Sequence, residues 1–390
     1  MKGENAMKLP EGARIIIERL ANNGCRGDIV GGCVRDNLLG KEPNDYDITT
    51  NAAPDEMVKL FSDMRTIETG LKHGTLTVMH GGEPYEVTTY RLDGEYTDNR
   101  HPDSVTFTDD LALDLSRRDF TVNAMCYSPE HGLTDLFGGR EDLEAGVIRA
   151  VGDPERRFAE DALRILRALR FAATLDFKID GETSLAIRRT AHLMKRVSSE
   201  RIMIEWTKLL AGVGAYRIIT EYFDVLSGVI PNITLSGVPS ESAFLSESRT
   251  VRELSLFASV SDFDFAMHSL KSDNKRRRHG ALVLEYEALP TSRPEELNLL
   301  LVKAGLEAAE DIIALRRLRG LGDGENMLSD LLRSGACYEI SHLALKGDDL
   351  RAAGLQGREI GDMLSEMLTA VALGTLKNTR EELLKFIKHC

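Results

Sequence analysis

The chain has 390 residues, with 49 Lys plus Arg against 62 Asp plus Glu for a formal charge of −13, so bulk charge draws in no polyanion and any nucleic-acid contact must use local basic patches. Apolar residues at 42% and charged residues at 28% exclude a disordered, collagen-like or low-complexity chain, and the length predicts about two to four domains. No apolar stretch reaches the ~18 to 20 residues of a membrane span, and the opening MKGENAMKLPEG lacks the apolar centre of a signal peptide, so a cytoplasmic protein with no membrane partner is expected.

In chain order, ARIIIERLA over 13–21 has helical spacing, with Gly24 as its stop. A strand over Asp28 to Val30, a Gly31-Gly32 turn, a helix over Val34 to Leu39 and an alternating segment over Asp45 to Thr49 follow. Strand-like runs Gly74 to Met79 and Tyr85 to Arg91 flank a Gly81-Gly82 hairpin turn. The first ~140 residues thus read as mixed α/β. After Asp153-Pro154 helical periods take over, including Arg157 to Leu175 and Arg201 to Leu210, and Pro231, Pro239, Pro290 and Pro294 mark breaks. Cys25, Cys33, Cys126, Cys337 and Cys390 are scattered without a CxxC pair, which predicts reduced thiols rather than a disulfide framework or a zinc site.

Asp45-Tyr46-Asp47 carries the first chemistry. On a strand, period two points both carboxylates to one face, ~6.5 to 7 Å apart. Paired hard cations bound there can activate a hydroxyl and neutralise a phosphate. Alone the pattern equally suits a solvated turn after Pro43-Asn44. The preceding Gly31-Gly32-x-Val34-Arg35-Asp36 strengthens the case, because a glycine pair lets backbone amides approach a triphosphate and Arg35 adds a charged donor. Glu86, on the run Tyr85 to Arg91, is either a third carboxylate of the same site or a solvent-facing strand residue. In Arg117-Arg118-Asp119, one arginine can pair with Asp119 while Arg118 reaches a nucleotide.

In Glu160-Asp161-Ala162-Leu163-Arg164-Ile165-Leu166-Arg167-Ala168-Leu169-Arg170, arginines recur every third residue with apolar residues between. That is no ordinary polar helix face, so some of these cations must be buried or bound. Asp161 and Arg164 can form an intrahelical i,i+3 pair. They can instead offer an acceptor and a donor to the Watson-Crick edges of cytosine or adenine, which guanine and uracil reverse, at ~1 to 3 kcal/mol per mismatched group. Arg167 and Arg170 then orient that pair or meet the triphosphate.

Taken in order, GGCVRD, DYD, KHGTLTV, YEVTTYR, RRDFTVNAM, EDALRILRALRF and ERIMIEW resemble the class II tRNA nucleotidyltransferases, the CCA-adding enzymes and their bacterial poly(A) polymerase relatives. The resemblance covers about half of the chain. It implies an α+β fold, in which a polymerase-β-like nucleotidyltransferase head of mixed sheet and helices precedes helical neck, body and tail domains, here 1–147, 148–213, 214–320 and 321–390. It implies metal ligation (Mg²⁺) by Asp45 and Asp47, with Glu86 as a catalytic candidate. It further implies nucleotide contacts from Gly32, Arg35, Arg118, Arg167 and Arg170, and base selection by Asp161 and Arg164. The implied reaction is untemplated addition of C, C and A to a tRNA 3′ end from CTP and ATP, with release of diphosphate.

The segment Arg91 to Ser116 resembles the family's flexible loop, which argues against CC-only addition. The absence of a basic motif after the neck helix, and a pI of 5.3, argue against a poly(A) polymerase. An A-adding specialist, a poly(A) polymerase, a non-catalytic RNA-binding module and a small-molecule nucleotidyltransferase remain the alternatives. No His-Asp dipeptide occurs, so the appended phosphohydrolase domain of some relatives is not expected, as in the shorter bacterial enzymes. Lys275-Arg276-Arg277-Arg278-His279, Arg316-Arg317-x-Arg319 and the tail over Gly354 to Ile387 are the candidate contacts for the tRNA acceptor arm.

Overall fold

The computed structural model describes residues 7–94, 105–238, 240–322 and 324–387. Pro239, Cys390 and residues 95–104 of the loop-like segment Arg91 to Ser116 lie outside them.

The chain divides into two compact units, 1–229 and 230–390. The first opens with α1 (Glu11–Asn22), whose Ala13, Ile16, Ile17 and Leu20 are buried at helical spacing. The strands β1 (Gly27–Val30), β2 (Asp47–Thr50), β3 (Thr66–Ile67), β4 (Thr75–His80) and β5 (Glu83–Thr89) follow, with α2 (Gly32–Leu38) after β1 and α3 (Pro54–Leu60) after β2. The turn between β4 and β5 is the expected one, with Gly81 and Gly82 both at positive φ. A small ribbon pairs β6 (Arg91–Asp93) with β7 (Val105–Phe107) and leads into α4 (Leu111–Ser116). The hairpin β8 (Met125–Ser128) and β9 (Gly132–Asp135) completes a seven-stranded sheet, in the order β3-β4-β5-β2-β1-β8-β9. Within it β2 and β5 are parallel while β1 pairs antiparallel with both β2 and β8. The sheet is mixed, as the α+β class requires.

After α5 (Gly139–Ala145) come β10 (Val147–Ile148), α6 (Pro154–Glu160), α7 (Leu163–Leu175), β11 (Lys178–Ile179), α8 (Gly181–Thr190) and α9 (Ser199–Leu210). Trp206, Leu166, Leu169 and Phe158 form their fully buried packing. The expected single helix from Arg157 to Leu175 is in fact two. Asp161 is extended at φ −139°, ψ 104°, and breaks the run between α6 and α7. Its own side chain explains the break, because Oδ1 accepts the N–H of Leu163 at 3.0 Å, a local bond that competes with helical pairing.

The described residues of 230–390 are helical apart from turns. Leu254, Phe257, Phe263 and Met267 are buried in its first part. Leu343, Leu345, Leu350, Met367 and Leu383 form one cluster nearer the C-terminus. Pro294 starts the helix Pro294–Ala304 at its first turn, where a missing N–H costs nothing.

Candidate active site

A cleft of about 470 Å³ in the first unit is lined by the Gly31-Gly32 turn, Asp45 and Asp47 together with Asp161, Arg164, Arg167, Arg170 and Phe171, with Arg118, Asp119 and Asn123 also at its wall. Except for Glu86, every catalytic, metal-binding or nucleotide-binding candidate from the sequence lines it.

Asp47 begins β2, whereas Asp45 sits in the extended segment before the strand rather than on it. Both still reach the cleft. In the parallel pairing of β2 with β5, Ile48 lies opposite Val87, so one step back Asp47 lies beside Glu86. Glu86 is exposed between buried Tyr85 and Val87, and it faces Thr77 across β4. Desolvation at the cleft wall, then the negative charges of Asp45 and Glu86, push the Asp47 carboxyl up to about 6 against the opposing pull of Arg118. Oxygen donors whose mutual repulsion is only partly offset by an arginine fit a hard divalent cation. Among the described residues no three His, Cys, Asp or Glu side chains converge on one point. The fit is therefore of the kind in which one or two carboxylates hold the ion and substrate phosphates complete its shell.

At the same cleft, Gly31 adopts φ 81°, ψ −128°, a conformation closed to residues with a Cβ. An added Cβ there would lie 3.3 Å from the Arg118 guanidinium. Arg118 is tied to buried Asp114 at 3.3 Å, and its Nε is buried without a hydrogen-bond partner. Arg35 donates to Asn123 at 2.6 Å and Asp36 at 2.9 Å. Asp114 also accepts from Arg117 at 2.7 Å and from the Thr49 hydroxyl at 3.2 Å. Burial pushes its carboxyl up, but the two arginines outweigh that and hold it below its ordinary range.

Along α7 each arginine has a fixed partner. Arg164 donates to Glu160 at 2.9 Å and to the carbonyl oxygen of Arg117 at 2.9 Å. Arg167 makes a two-pronged contact with Asp119 at 2.9 and 2.6 Å. Arg170 donates to Glu205 at 2.8 Å. The cationic carbons of Arg35, Arg167 and Arg170 lie 5.1, 5.4 and 3.4 Å from the Phe171 ring centre, and Phe171 meets Phe120 edge-on at 5.8 Å. The ring thereby joins the stretches GGCVRD, RRDFTVNAM and EDALRILRALRF. Asp161 does not pair with Arg164; it accepts from Arg201 of α9 at 2.7 Å. Asp161 and Arg164 nevertheless keep unused capacity. A carboxylate accepts about four hydrogen bonds and a guanidinium donates five; one acceptor site is taken on each Asp161 oxygen, and the Nε of Arg164 makes no bond.

Sequence reasoning passed over Asp36, Asn44, Asn123, Phe171 and Lys208, which line the same cleft, and Asp114, Arg201 and Glu205, which hold its arginines and Asp161. Arg201 and Glu205 both fall in ERIMIEW, at the one-turn spacing that places them on a single helix face. The residues of the two basic clusters are largely paired within the chain. Arg276 pairs with Glu253 at 2.5 Å, Arg277 with Asp264 at 2.8 Å, His279 with Asp311 at 2.7 Å, Arg317 with Glu247 at 2.8 Å and Arg319 with Glu287 at 2.5 Å, while Arg316 donates to backbone carbonyls. They are mostly internal ties, which leaves exposed Lys275 and Arg278.

Residues 28–149 match the family model of the poly A polymerase head domain, 176–225 that described as "Probable RNA and SrmB- binding site of polymerase A", and 245–387 that of tRNA nucleotidyltransferase domain 2. The chain is 38% identical to the CCA-adding enzyme of Geobacillus kaustophilus over 97% of its own length and 96% of that enzyme's. It is 33% identical to the CCA-adding enzyme of Ligilactobacillus salivarius, covering 96% and 95%. Among solved structures, the Bacillus stearothermophilus CCA-adding enzyme in complex with CTP superposes with a TM-score of 0.80 at 32% identity, over 97% of this chain and 96% of that one. The Thermotoga maritima CCA-adding enzyme complexed with tRNA shares the fold at TM-score 0.71 and 22% identity. No helix among the described residues is long and apolar enough to cross a membrane.

Proposed function

The chain belongs to the CCA-adding enzyme family, and on that premise we propose that it extends tRNA 3′ ends by C, C and A without a nucleic-acid template, using CTP and ATP in the cytoplasm. One observation carries the reading: a single cleft is lined by both the acidic pair Asp45 and Asp47 and the acceptor and donor Asp161 and Arg164.

In each step the RNA 3′-hydroxyl oxygen bonds to the α-phosphorus of the bound nucleotide, the bond from that phosphorus to the bridging oxygen breaks, and diphosphate leaves. Asp45 and Asp47 are the residues that would hold Mg²⁺, which when bound neutralises phosphate charge and makes the attacking hydroxyl more acidic. Glu86 neighbours Asp47 in register but is not among the residues lining the cleft; in this reading it takes up the hydroxyl proton. The Gly31-Gly32 turn admits the triphosphate to the backbone, and Arg35, Arg118, Arg167 and Arg170 supply charged donors around it. Asp161 accepts from the exocyclic amine of cytosine or adenine and Arg164 donates to the adjacent ring nitrogen, so protein side chains do the work of a template base. Residues 1–147, 148–213, 214–320 and 321–390 serve as catalytic head, selecting neck, body and tRNA-gripping tail.

The test incubates the protein with Mg²⁺ and labelled tRNAs ending at the discriminator base, at C or at CC, with CTP, ATP or both. Addition of C, C and A followed by arrest is expected. Addition of A to the CC end alone assigns an A-adding specialist, long A tails a poly(A) polymerase, and tRNA binding without incorporation a non-catalytic module.

A further inference from the structure

On α9, Arg201, Glu205 and Lys208 recur at i, i+4 and i+7, one face of the helix. The first two reach into the site as positioning groups, Arg201 to Asp161 and Glu205 to Arg170. Lys208 lines the cleft itself and is exposed. Trp206, Leu209 and Leu210 are fully buried, so the packed helix fixes the backbone position from which Lys208 extends.

The other cations of the cleft are all tied to the chain's own carboxylates. Arg35 has Asp36 at 2.9 Å, Arg117 and Arg118 share Asp114 at 2.7 and 3.3 Å, Arg164 has Glu160 at 2.9 Å, Arg167 has Asp119 at 2.6 Å and Arg170 has Glu205 at 2.8 Å. Lys208 has neither an ion pair nor a hydrogen bond among the described residues. An arginine already neutralised by a carboxylate orients a ligand but adds little net attraction, whereas an ammonium without a counter-charge carries its full charge into the cleft.

We propose that Lys208 is a substrate-binding residue that contacts a phosphate in this cleft. A phosphate oxygen is the group that the chemistry of an unpaired ammonium selects. It can come from the triphosphate of the incoming nucleotide or from a phosphodiester near the RNA 3′ end. The inference rests on the nucleotidyltransferase reading above, and incorporation by the unsubstituted chain in the same assay separates a failure of that reading from a failure of this one.

The experiment compares Lys208→Met, Lys208→Arg and Lys208→Glu in incorporation of ATP on CC-ended tRNA and CTP on C-ended tRNA, together with tRNA binding over a salt series. A charge-assisted hydrogen bond predicts about a tenfold or greater loss of apparent affinity in Lys208→Met, a deeper loss in Lys208→Glu and near-complete retention in Lys208→Arg. If the phosphate is the nucleotide's, KM for CTP and ATP rises in parallel and tRNA binding is untouched. If it is the RNA's, tRNA affinity falls and the slope of log affinity against log salt drops by about 0.7. All three variants should melt with the unsubstituted protein, because the side chain is exposed. Unchanged KM for both nucleotides together with unchanged tRNA affinity in Lys208→Met and Lys208→Glu overturns the proposal, as does a loss confined to melting temperature.

Discussion

Arg201 donates to Asp161 Oδ2 at 2.7 Å across 40 residues of sequence, while Oδ1 of the same carboxylate accepts the N–H of Leu163 at 3.0 Å. The orientation of Asp161 is thus set from both sides by groups that are not among the residues lining the cleft. Arg201→Met should release one side and lower discrimination against UTP and GTP by about tenfold, the scale of one hydrogen bond to a charged group. Arg201→Lys keeps the charge but loses the planar donor, and should fall between the two. Ratios of kcat/KM for CTP and UTP on a tRNA ending at the discriminator base decide the matter. Equal ratios in all three proteins would show that Asp161 needs no support from α9.

The proposed base-reading pair, Asp161 and Arg164, predicts a larger effect. Asp161→Ala with Arg164→Ala removes both the acceptor and the donor, so misincorporation of UTP and GTP should rise well beyond that of Arg201→Met, at some cost in total rate. Arg164 also donates to Glu160 and to the Arg117 carbonyl, so the single Arg164→Ala change should lower the melting temperature as well. Asp161→Asn keeps shape and swaps one acceptor for a donor, and is the cleaner variant for specificity. Unchanged nucleotide choice in the double variant would move selection to another wall of the cleft.

At the acidic end, Asp45→Ala and Asp47→Ala should each abolish incorporation and leave tRNA binding near normal. Asp47→Asn carries a further expectation. Its carboxylate is repelled by Asp45 and Glu86, so with divalent cations chelated the Asn variant should melt no lower than the unsubstituted protein and above it at low salt. A variant that is inactive but stabilised separates a functional carboxylate from a structural one. Incorporation retained in either Ala variant would refute the metal assignment.

Much of this site was legible before any coordinates because its signals are local. The glycine pair with Arg35, the Asp-x-Asp and the three-residue spacing of Arg164, Arg167 and Arg170 each fall within a few residues, and the Gly81-Gly82 turn announces its own hairpin. What stayed hidden is long-range. Arg167 meets Asp119 across 48 residues and Arg170 meets Glu205 across 35, and no periodicity encodes such pairings. The helix break at Asp161 was missed because every neighbour favours helix, and the deciding bonds come from the Asp161 carboxylate and from α9. The basic runs at Lys275 to His279 and Arg316 to Arg319 looked free because their acidic partners, Glu253, Asp264, Asp311, Glu247 and Glu287, lie on other helices.

Gly31 joins the legible and the hidden. Its φ of 81° with ψ −128° is strained for any residue with a Cβ, at roughly 1 to 3 kcal/mol. The added methyl group would also crowd Arg118 at 3.3 Å. Gly31→Ala should lower unfolding free energy by that amount and raise KM for both CTP and ATP, because Arg118 must move. Gly40, also at positive φ but with nothing within 4 Å of an added Cβ, is the control: Gly40→Ala should cost stability without changing KM. Equal KM values for the two variants would show that the Gly31 turn is structural only.

Asp119 provides a test by pH. It is buried, and burial pushes its carboxyl up, but the charge and two hydrogen bonds of Arg167, with the nearby Arg164 and the Asn123 amide, bring it down from the ordinary 3.8 to about 2. Between these values the unfolded chain binds the proton and the folded chain does not, so stability rises with pH through this window. The contribution is fully present above about pH 4 and is lost as pH falls toward 2. Asp119→Asn cannot titrate and leaves Arg167 only its longer contact with Glu205 at 3.7 Å, so it should be less stable at pH 7 by about 3 kcal/mol, the low end for a broken buried pair. The gap to the unsubstituted protein should narrow steadily as pH drops from 4 to 2. Urea unfolding of both proteins across that range gives the difference directly, and other carboxylates cancel in it. Parallel stability curves would mean that Asp119 is not held ionised by Arg167. In that case the link between the RRDFTVNAM stretch and α7 would rest on the packing of Phe120 against Phe171 rather than on charge.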